Sequence, residues 1–294
     1  MDIDSGAVEI AKLRLWLSLV VDEDDIKNIK PLPNLDYKIV CGNSLLGLPD
    51  NILINEEISK KLEENKNLYF KSTNPSEKNK IRDIINDLFL KLIDSMKEFD
   101  PSIQDISFDF HTHFSEVFHG KGGFDIVIAN PPYGAELTKG AKDFFKIQYG
   151  DVHIRTPDTF NYFISKSLRI LNKDGRGLLS FIVSNNLLFQ NEYQKTRAVF
   201  LNKNTVIKVL NLGDEVFEEA VVPTCVFLLQ NNQQEQYNFE FADLRVYKQQ
   251  LDSLDFNSQL RPFSKKDILE TPGYVFGVNQ ATVKLLKKVE KVSV

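Results

Sequence analysis

Cysteine is scarce in this chain. Cys41 and Cys225 are the only two, so at most one disulfide can form. So few cysteines fit a reducing compartment, and a cytoplasmic protein is expected. No stretch reaches about 18 uncharged apolar residues, so no membrane span is expected. The nearest approach, residues 11–21, is interrupted by Lys12 and Arg14. Asp2 and Asp4 give its leading end the wrong sign for a signal peptide. A basic surplus is missing too: 36 Lys and Arg stand against 41 Asp and Glu, a net charge of −5. That balance argues against a protein whose main task is to coat nucleic acid. It leaves room for a local basic cleft. Lys139, Lys142, Lys146 and Arg155 either line one or sit as solvated loop and helix charges. No P-loop, nuclease motif or Ser/His/Asp arrangement stands out. His111, His113 and His119 lie close together, but His-x-His offers two ligands at most and no cysteine pair is near. No metal site is expected.

What the chain has is an ordinary globular balance, 42% hydrophobic and 26% charged. Its 294 residues can bury one sizeable core, or a core and a small appendage. Residues 5–21 read as a helix, with Ser5 as N-cap and apolar residues nearly all round. Such a helix is expected to be buried, most simply on a sheet face. Asp22 to Asp25 with Pro31 and Pro33 end it. Tyr37 to Cys41 reads as a short strand. A charged helical stretch at about 50–105, broken at Asn74-Pro75-Ser76, looks like an insertion. Strands are expected near 178–183, 206–210 and 221–229, and helices near 158–171 and 193–201. Strands alternating with helices imply βαβ units and an α/β, doubly wound sheet. The last two strands are expected to pair antiparallel.

The most informative stretch is Phe124-Asp125-Ile126-Val127-Ile128-Ala129-Asn130-Pro131-Pro132-Tyr133. Consecutive apolar residues read as a buried parallel strand. Two prolines cannot continue it, since neither donates a ladder hydrogen bond. The tetrad Asn130 to Tyr133 therefore falls at the carboxyl end of a strand, where open α/β sheets hold ligands. Its tools suit methyl transfer to a planar amine. Such a nitrogen is a poor nucleophile because its lone pair is delocalised. It needs two acceptors on its hydrogens, and the Asn130 amide oxygen and Pro131 carbonyl can supply them. Pro132 stiffens the loop, and Tyr133 offers a face to a base, worth roughly 1–3 kcal/mol where bases stack on aromatic residues. A plain strand-and-proline turn is the bland alternative.

The tetrad resembles the catalytic motif of the amino-methyltransferases that act on adenine, cytosine or protein glutamine. Met1 to Ala11, Cys41-Gly42-Asn43-Ser44-Leu45-Leu46 and Phe114-Ser115-Glu116-Val117-Phe118 resemble segments of type II, type IIG-like, restriction-modification N(6)-adenine DNA methyltransferases. The resemblance covers residues 1 to about 230. It implies a Rossmann-like, S-adenosylmethionine-dependent methyltransferase fold, with a mostly parallel sheet, an antiparallel edge strand and the first strand missing. A partial catalytic domain at 1–230 would be followed at 231–294 by a linker and the start of a target-recognition region. The partner implied is double-stranded DNA.

The resemblance also assigns cofactor residues. Asp2 would hold the ribose hydroxyls, with Asp4 a second candidate. Ile3 would pack on the adenine of the cofactor. Asn43 and Ser44 would meet its edge, where relatives often carry Asp. A second aromatic against the target base would be Phe227 or Phe217. The glycine-rich turn that follows the first strand in the family has no counterpart. Gly120-Lys121-Gly122-Gly123 precedes the catalytic strand instead and reads as a flexible turn. A chain truncated at both ends, holding the cofactor poorly, is therefore expected. The rival readings are a protein-glutamine methyltransferase and a non-catalytic remnant that binds DNA or a partner.

Overall fold

The computed structural model describes residues 1–21, 35–46, 55–99, 108–134, 137, 139–155, 158–214, 216–217, 222–247 and 254–278. The expected helix stop at Asp22 to Asp25, Pro31 and Pro33 lies outside these residues, as do Val221 and both ends of the expected insertion. The chain divides into two compact units, Met1–His119 and Gly120–Val294.

In the first unit, Asp2 and Cys41 form one parallel bridge. The Gly42 amide donates to the Asp2 carbonyl at 2.9 Å. Helix α1 (Ser5–Val21) follows. Its cap is Asp4, which accepts from the Ala7 amide at 2.9 Å, rather than Ser5 as expected. The expected burial of α1 is also corrected. Val8 is buried, but Ile10 is 56% exposed and Leu13, Leu15 and Leu17 are exposed as well. An all-round apolar surface needs cover on every side, and α1 receives it at few positions.

Helices α2 (Glu56–Lys71) and α3 (Pro75–Phe99) form a hairpin with its own core of Leu62, Tyr69, Ile81, Ile85, Leu88 and Leu92. Pro75 starts α3 instead of breaking a helix, since the first helical position has no amide to lose. Tyr69 fastens the hairpin to residues 35–46. Its hydroxyl donates to Asp36 at 2.7 Å and accepts from Arg82 at 2.7 Å. Short helices α4 (Phe110–His113) and α5 (Ser115–Lys121) complete this part.

The second unit is built on six strands: β1 (Ile126–Ala129), β2 (Leu178–Ser184), β3 (Thr205–Gly213), β4 (Thr224–Gln230), β5 (Asn238–Asp243) and β6 (Arg261–Ser264). They form one sheet in the order β1-β2-β4-β3-β5-β6. Helices α6 (Lys139–Gln148) and α7 (Thr159–Ile170) link β1 to its parallel neighbour β2, a βαβ unit. Helices α8 (Asn186–Phe189) and α9 (Gln194–Lys203) link β2 to β3. The fold is α/β and Rossmann-like, as read from the sequence.

Two details differ. The sheet is mixed rather than mostly parallel, with β2–β4, β3–β4 and β5–β6 antiparallel. β4, the antiparallel strand expected at an edge, lies between β2 and β3. There its alternate residues Cys225, Phe227 and Leu229 join the core. Residues 231–294 contribute β5 and β6 to the same sheet. The strand that precedes the tetrad is likewise not fully buried. β1 is an edge strand, and the face of it that carries Ile126 and Ile128 is open, 58% and 76% exposed.

One face of the sheet carries the main core. Phe160 and Ile164 of α7 and Phe200 and Leu201 of α9 pack there with Leu179, Phe181, Val183 and Phe227. Burying one such aromatic side chain is worth roughly 1.5–3 kcal/mol, so this layer dominates the unit's stability.

Candidate active site

The tetrad leaves β1 at the carboxyl end of the strand, as expected. Asn130 is exposed, Pro131 buried and Tyr133 half-buried against the main core. The Tyr133 hydroxyl lies 2.8 Å from the Asn130 amide oxygen and 3.0 Å from the Ile182 carbonyl, with its single proton shared between them. Burial, then the neighbourhood of Cys225 and Asp158, raises the Tyr133 hydroxyl to about 12, so it stays a donor at neutral pH. It orients the amide while leaving a lone pair on its oxygen. The Pro131 carbonyl accepts no hydrogen bond among the described residues. The tetrad therefore carries two acceptors on a stiff loop.

That loop is held from behind by two residues that sequence reasoning did not single out. The Thr159 hydroxyl donates to the Pro132 carbonyl at 2.8 Å. Asp158 accepts from the Gly134 amide at 3.2 Å. Burial raises the Asp158 carboxyl, opposed by the amides of Gly134, Phe160 and Thr159. An Asp-Thr pair before an apolar run is a helix-start signal, and it was legible as such. Its second task, 24 residues from Gly134 in sequence, was not.

Phe227 is corrected. Its ring is 0% exposed, 4.8 Å from the Phe200 ring and 6.0 Å from that of Phe181. A side chain enclosed between a helix and its neighbouring strand has no face to offer a base. Phe217 is half-buried in the segment after β3.

In Met1–His119, the Asp2–Cys41 bridge brings Asp2 and Ile3 beside the segment that carries Asn43 and Ser44. One Asp2 oxygen accepts from the Asp4 amide at 2.9 Å. Ile3 is exposed, and its carbonyl accepts from the Cys41 thiol. The Asn43 oxygen accepts from the Leu45 amide at 3.0 Å, which leaves its amide hydrogens to donate. Ser44 is half-buried. An exposed carboxylate, an exposed branched aliphatic and an amide donor fit the nucleoside end of S-adenosylmethionine. Gly42 is required here: a Cβ on it would lie 2.3 Å from the Phe108 Cβ. The Gly120–Gly123 turn is no cradle for the other end. A Cβ at Gly123 would meet the Ile170 carbonyl oxygen at 2.6 Å, so its positive φ serves close packing on the chain's own backbone.

The three histidines are each engaged. His113 stacks on Phe89 at 4.5 Å, His111 on Phe118 at 3.9 Å, and His119 pairs with Glu63 at 2.7 Å. Among the described residues no three metal-ligating side chains come together. No described helix is long and apolar enough to cross a membrane.

Comparisons with known proteins add the following. The sequence model of the Eco57I restriction-modification methylases matches residues 1–217. A protein of Methanocaldococcus jannaschii, described as a type II restriction enzyme and methyltransferase, is 26% identical over 78% of this chain. The match covers 25% of that protein, so the chain spans about a quarter of its length. The type I restriction-modification methyltransferase subunit of Streptococcus thermophilus is similar over 50% of this chain and 36% of its own, at 19% identity and a TM-score of 0.38. The type IIG restriction endonuclease BpuSI is similar over 51% of this chain and 20% of its own, at 19% identity and a TM-score of 0.37.

Proposed function

Since the chain belongs to the Eco57I restriction-modification methylase family, we propose that it carries out N(6)-adenine methylation of double-stranded DNA with S-adenosylmethionine as donor. The observation that carries this reading is the Asn130 amide oxygen held by Tyr133, followed by a Pro131 carbonyl that accepts no hydrogen bond among the described residues. Two neutral acceptors suit the two hydrogens of an exocyclic amine. They draw the nitrogen toward a tetrahedral shape and aim its lone pair outward. As the N–C bond forms, the sulfonium S–C bond would break to leave a neutral thioether, and one amine hydrogen then leaves as a proton to solvent. The tetrad holds no Cys, Ser or Lys, and its one hydroxyl, that of Tyr133, stays protonated at neutral pH, so the reading is direct transfer with no covalent enzyme intermediate.

The target adenine must leave the duplex, at a cost of a few kcal/mol. Tyr133 would stack on the extruded ring, and Phe217 is the second aromatic still available. Thr159 and Asp158 keep the loop in place during the reaction. They preorganise the acceptors instead of touching the substrate. When bound, S-adenosylmethionine supplies an electrophilic methyl group on a sulfonium. Asp2 would accept from its ribose hydroxyls, Ile3 would pack on its adenine, and Asn43 and Ser44 would meet the adenine edge.

The test is tritiated methyl transfer at a large excess of donor, offered duplex DNA and a glutamine-bearing release-factor protein together. Label recovered as N(6)-methyladenine supports the reading. Label on cytosine or on protein glutamine, with none on adenine, rejects it.

A further inference from the structure

The segment leading into α7 forms one wall of a cleft of about 530 Å³ in the second unit. His153, Ile154 and Arg155 line that wall. Glu192 and Lys195, which flank α9's start, and Tyr274 line the cleft as well. Its charge runs against that of the whole chain, which is −5. Arg155 and Lys195 are both exposed at the cleft, and the Lys195 ammonium lies 3.4 Å from the His153 carbonyl. Lys146 is near enough to act on the His153 ring, and after burial it and Lys195 together hold that imidazole below its ordinary value. Glu192 is the single acid in the lining.

A buried cation lies behind the lining. Arg197 is 0% exposed and donates to the Gly273 carbonyl at 2.9 Å and the Leu187 carbonyl at 2.7 Å. Its second terminal nitrogen, Nη2, makes no hydrogen bond among the described residues, and burial lowers the guanidinium to about 10. A Cβ on Gly273 would sit 3.3 Å from the Asn191 amide oxygen and 3.5 Å from Nη2, so Arg197 lies directly behind a lining residue. An unpaired charge in a low-dielectric setting projects its field farther than a solvated one. Three cations thus bear on one concave surface that holds a single carboxylate.

The cleft also adjoins the tetrad. Tyr193 sits between the lining residues Glu192 and Gln194 and stacks on Phe160 at 5.3 Å. Its hydroxyl is raised by burial and then by Asp158, the carboxylate that holds Gly134. Arg155 is three residues from Asp158, a reach of roughly 10 Å at most. A base that swings out of a duplex pivots on its own backbone, so its flanking phosphates stay within about one nucleotide of the pocket.

We propose that this cleft is a phosphate clamp for the DNA strand that carries the target base, with Arg155 and Lys195 as its two cationic contacts. The proposal rests on the DNA-methyltransferase reading for its ligand, and its test separates the two. Labelled duplex DNA is titrated into the whole chain, an Arg155→Ala/Lys195→Ala variant and a charge-matched Lys173→Ala/Lys203→Ala control. All four positions are exposed, so folding is retained. At about 50 mM salt the clamp variant should bind about tenfold or more weaker than the parent, and the gap should narrow toward 200 mM. The variant's plot of log affinity against log salt should flatten by about 1.8, two phosphates at about 0.9 each. The control should change by less than about twofold, the scale of a net-charge effect alone. Equal affinity and slope in the two variants, or no DNA binding by the parent chain, overturns the clamp. Inorganic phosphate is run as a competitor; displacement of DNA at similar phosphate and DNA concentrations would mark a free-anion site and also overturn it. A clamp effect without methyl transfer upholds the clamp and counts against the methylation reading. Methyl transfer with an unaffected clamp variant does the reverse.

Discussion

The two units solve the same problem differently. Residues 120–294 hang their chemistry on a continuous sheet, and each turn of the tetrad loop is tied to a second element: Tyr133 to β2, Pro132 and Gly134 to the start of α7. Residues 1–119 hold Asp2 and Asn43 through one bridge, one glycine contact and a small helical hairpin core. They also leave the apolar α1 largely in contact with solvent. The tetrad loop is therefore held at several points, while Asp2 and Asn43 depend on few contacts. Damage to the first kind of site should show up as lost rate. Damage to the second should show up as lost local stability.

The largest expected effect falls on the sheet unit. Phe227→Ala should cost about 3–5 kcal/mol, the range for truncating a buried aromatic residue. Urea unfolding followed by hydrogen exchange of β2 and β4 checks this. A stable variant with reduced adenine methylation would return Phe227 to a stacking role. Next comes Gly42→Ala, which forces a Cβ into Phe108 and should destabilise the first unit by about 1–3 kcal/mol. Trp16, the one tryptophan of the chain, lies in that unit and reports its unfolding by fluorescence. β-sheet amides of the other unit should keep their protection, and a shared loss would erase the contrast.

Thr159→Val is smaller. It removes the hydroxyl that holds the Pro132 carbonyl, worth about 1 kcal/mol. If that energy is spent positioning the acceptors, turnover falls roughly fivefold with little change in melting temperature. A change in melting temperature alone would make Thr159 merely structural.

The smallest effect is a pH dependence confined to the helical unit. Burial holds the His113 imidazole down to about 4, well below its ordinary 6.5, and Lys66 adds to this. Above pH 6.5 neither folded nor unfolded state carries the proton, so the group contributes nothing. Between 6.5 and about 4 the unfolded chain takes up a proton that the folded chain refuses, and stability falls as pH falls. Trp16 fluorescence in urea should show its midpoint dropping across that window, and His113→Phe should flatten the drop.

The part of this picture legible in the sequence is the part encoded locally. Ile126-Val127-Ile128 followed by Asn-Pro-Pro gives strand and stop together. The periodicity of 56–99 gives two helices. The position of β4 was not legible, because an apolar run such as Thr224–Gln230 reads the same at an edge or in the middle of a sheet. β1 was misread as buried for the same reason: composition reports that a strand is apolar, and only topology reports how many neighbours it has. β5 carried a weak signal because polar residues fill half of Asn238–Asp243, and β6 is only four residues with Pro262 among them. Asp158 was visible as a helix start and invisible as a support for Gly134, since the contact closes only once α7 packs on the sheet.

The central claim is that Asn130 supplies one of two acceptors for an amine. The direct measurement is N(6)-methyladenine formed in duplex DNA by the parent chain and by Asn130→Ala, at equal donor and DNA. Loss of a preorganised polar contact of this kind costs roughly 10²–10³ in rate, so the variant should fall by at least that much while DNA binding persists. N(6)-methyladenine formed by Asn130→Ala at the parent's rate would contradict the account.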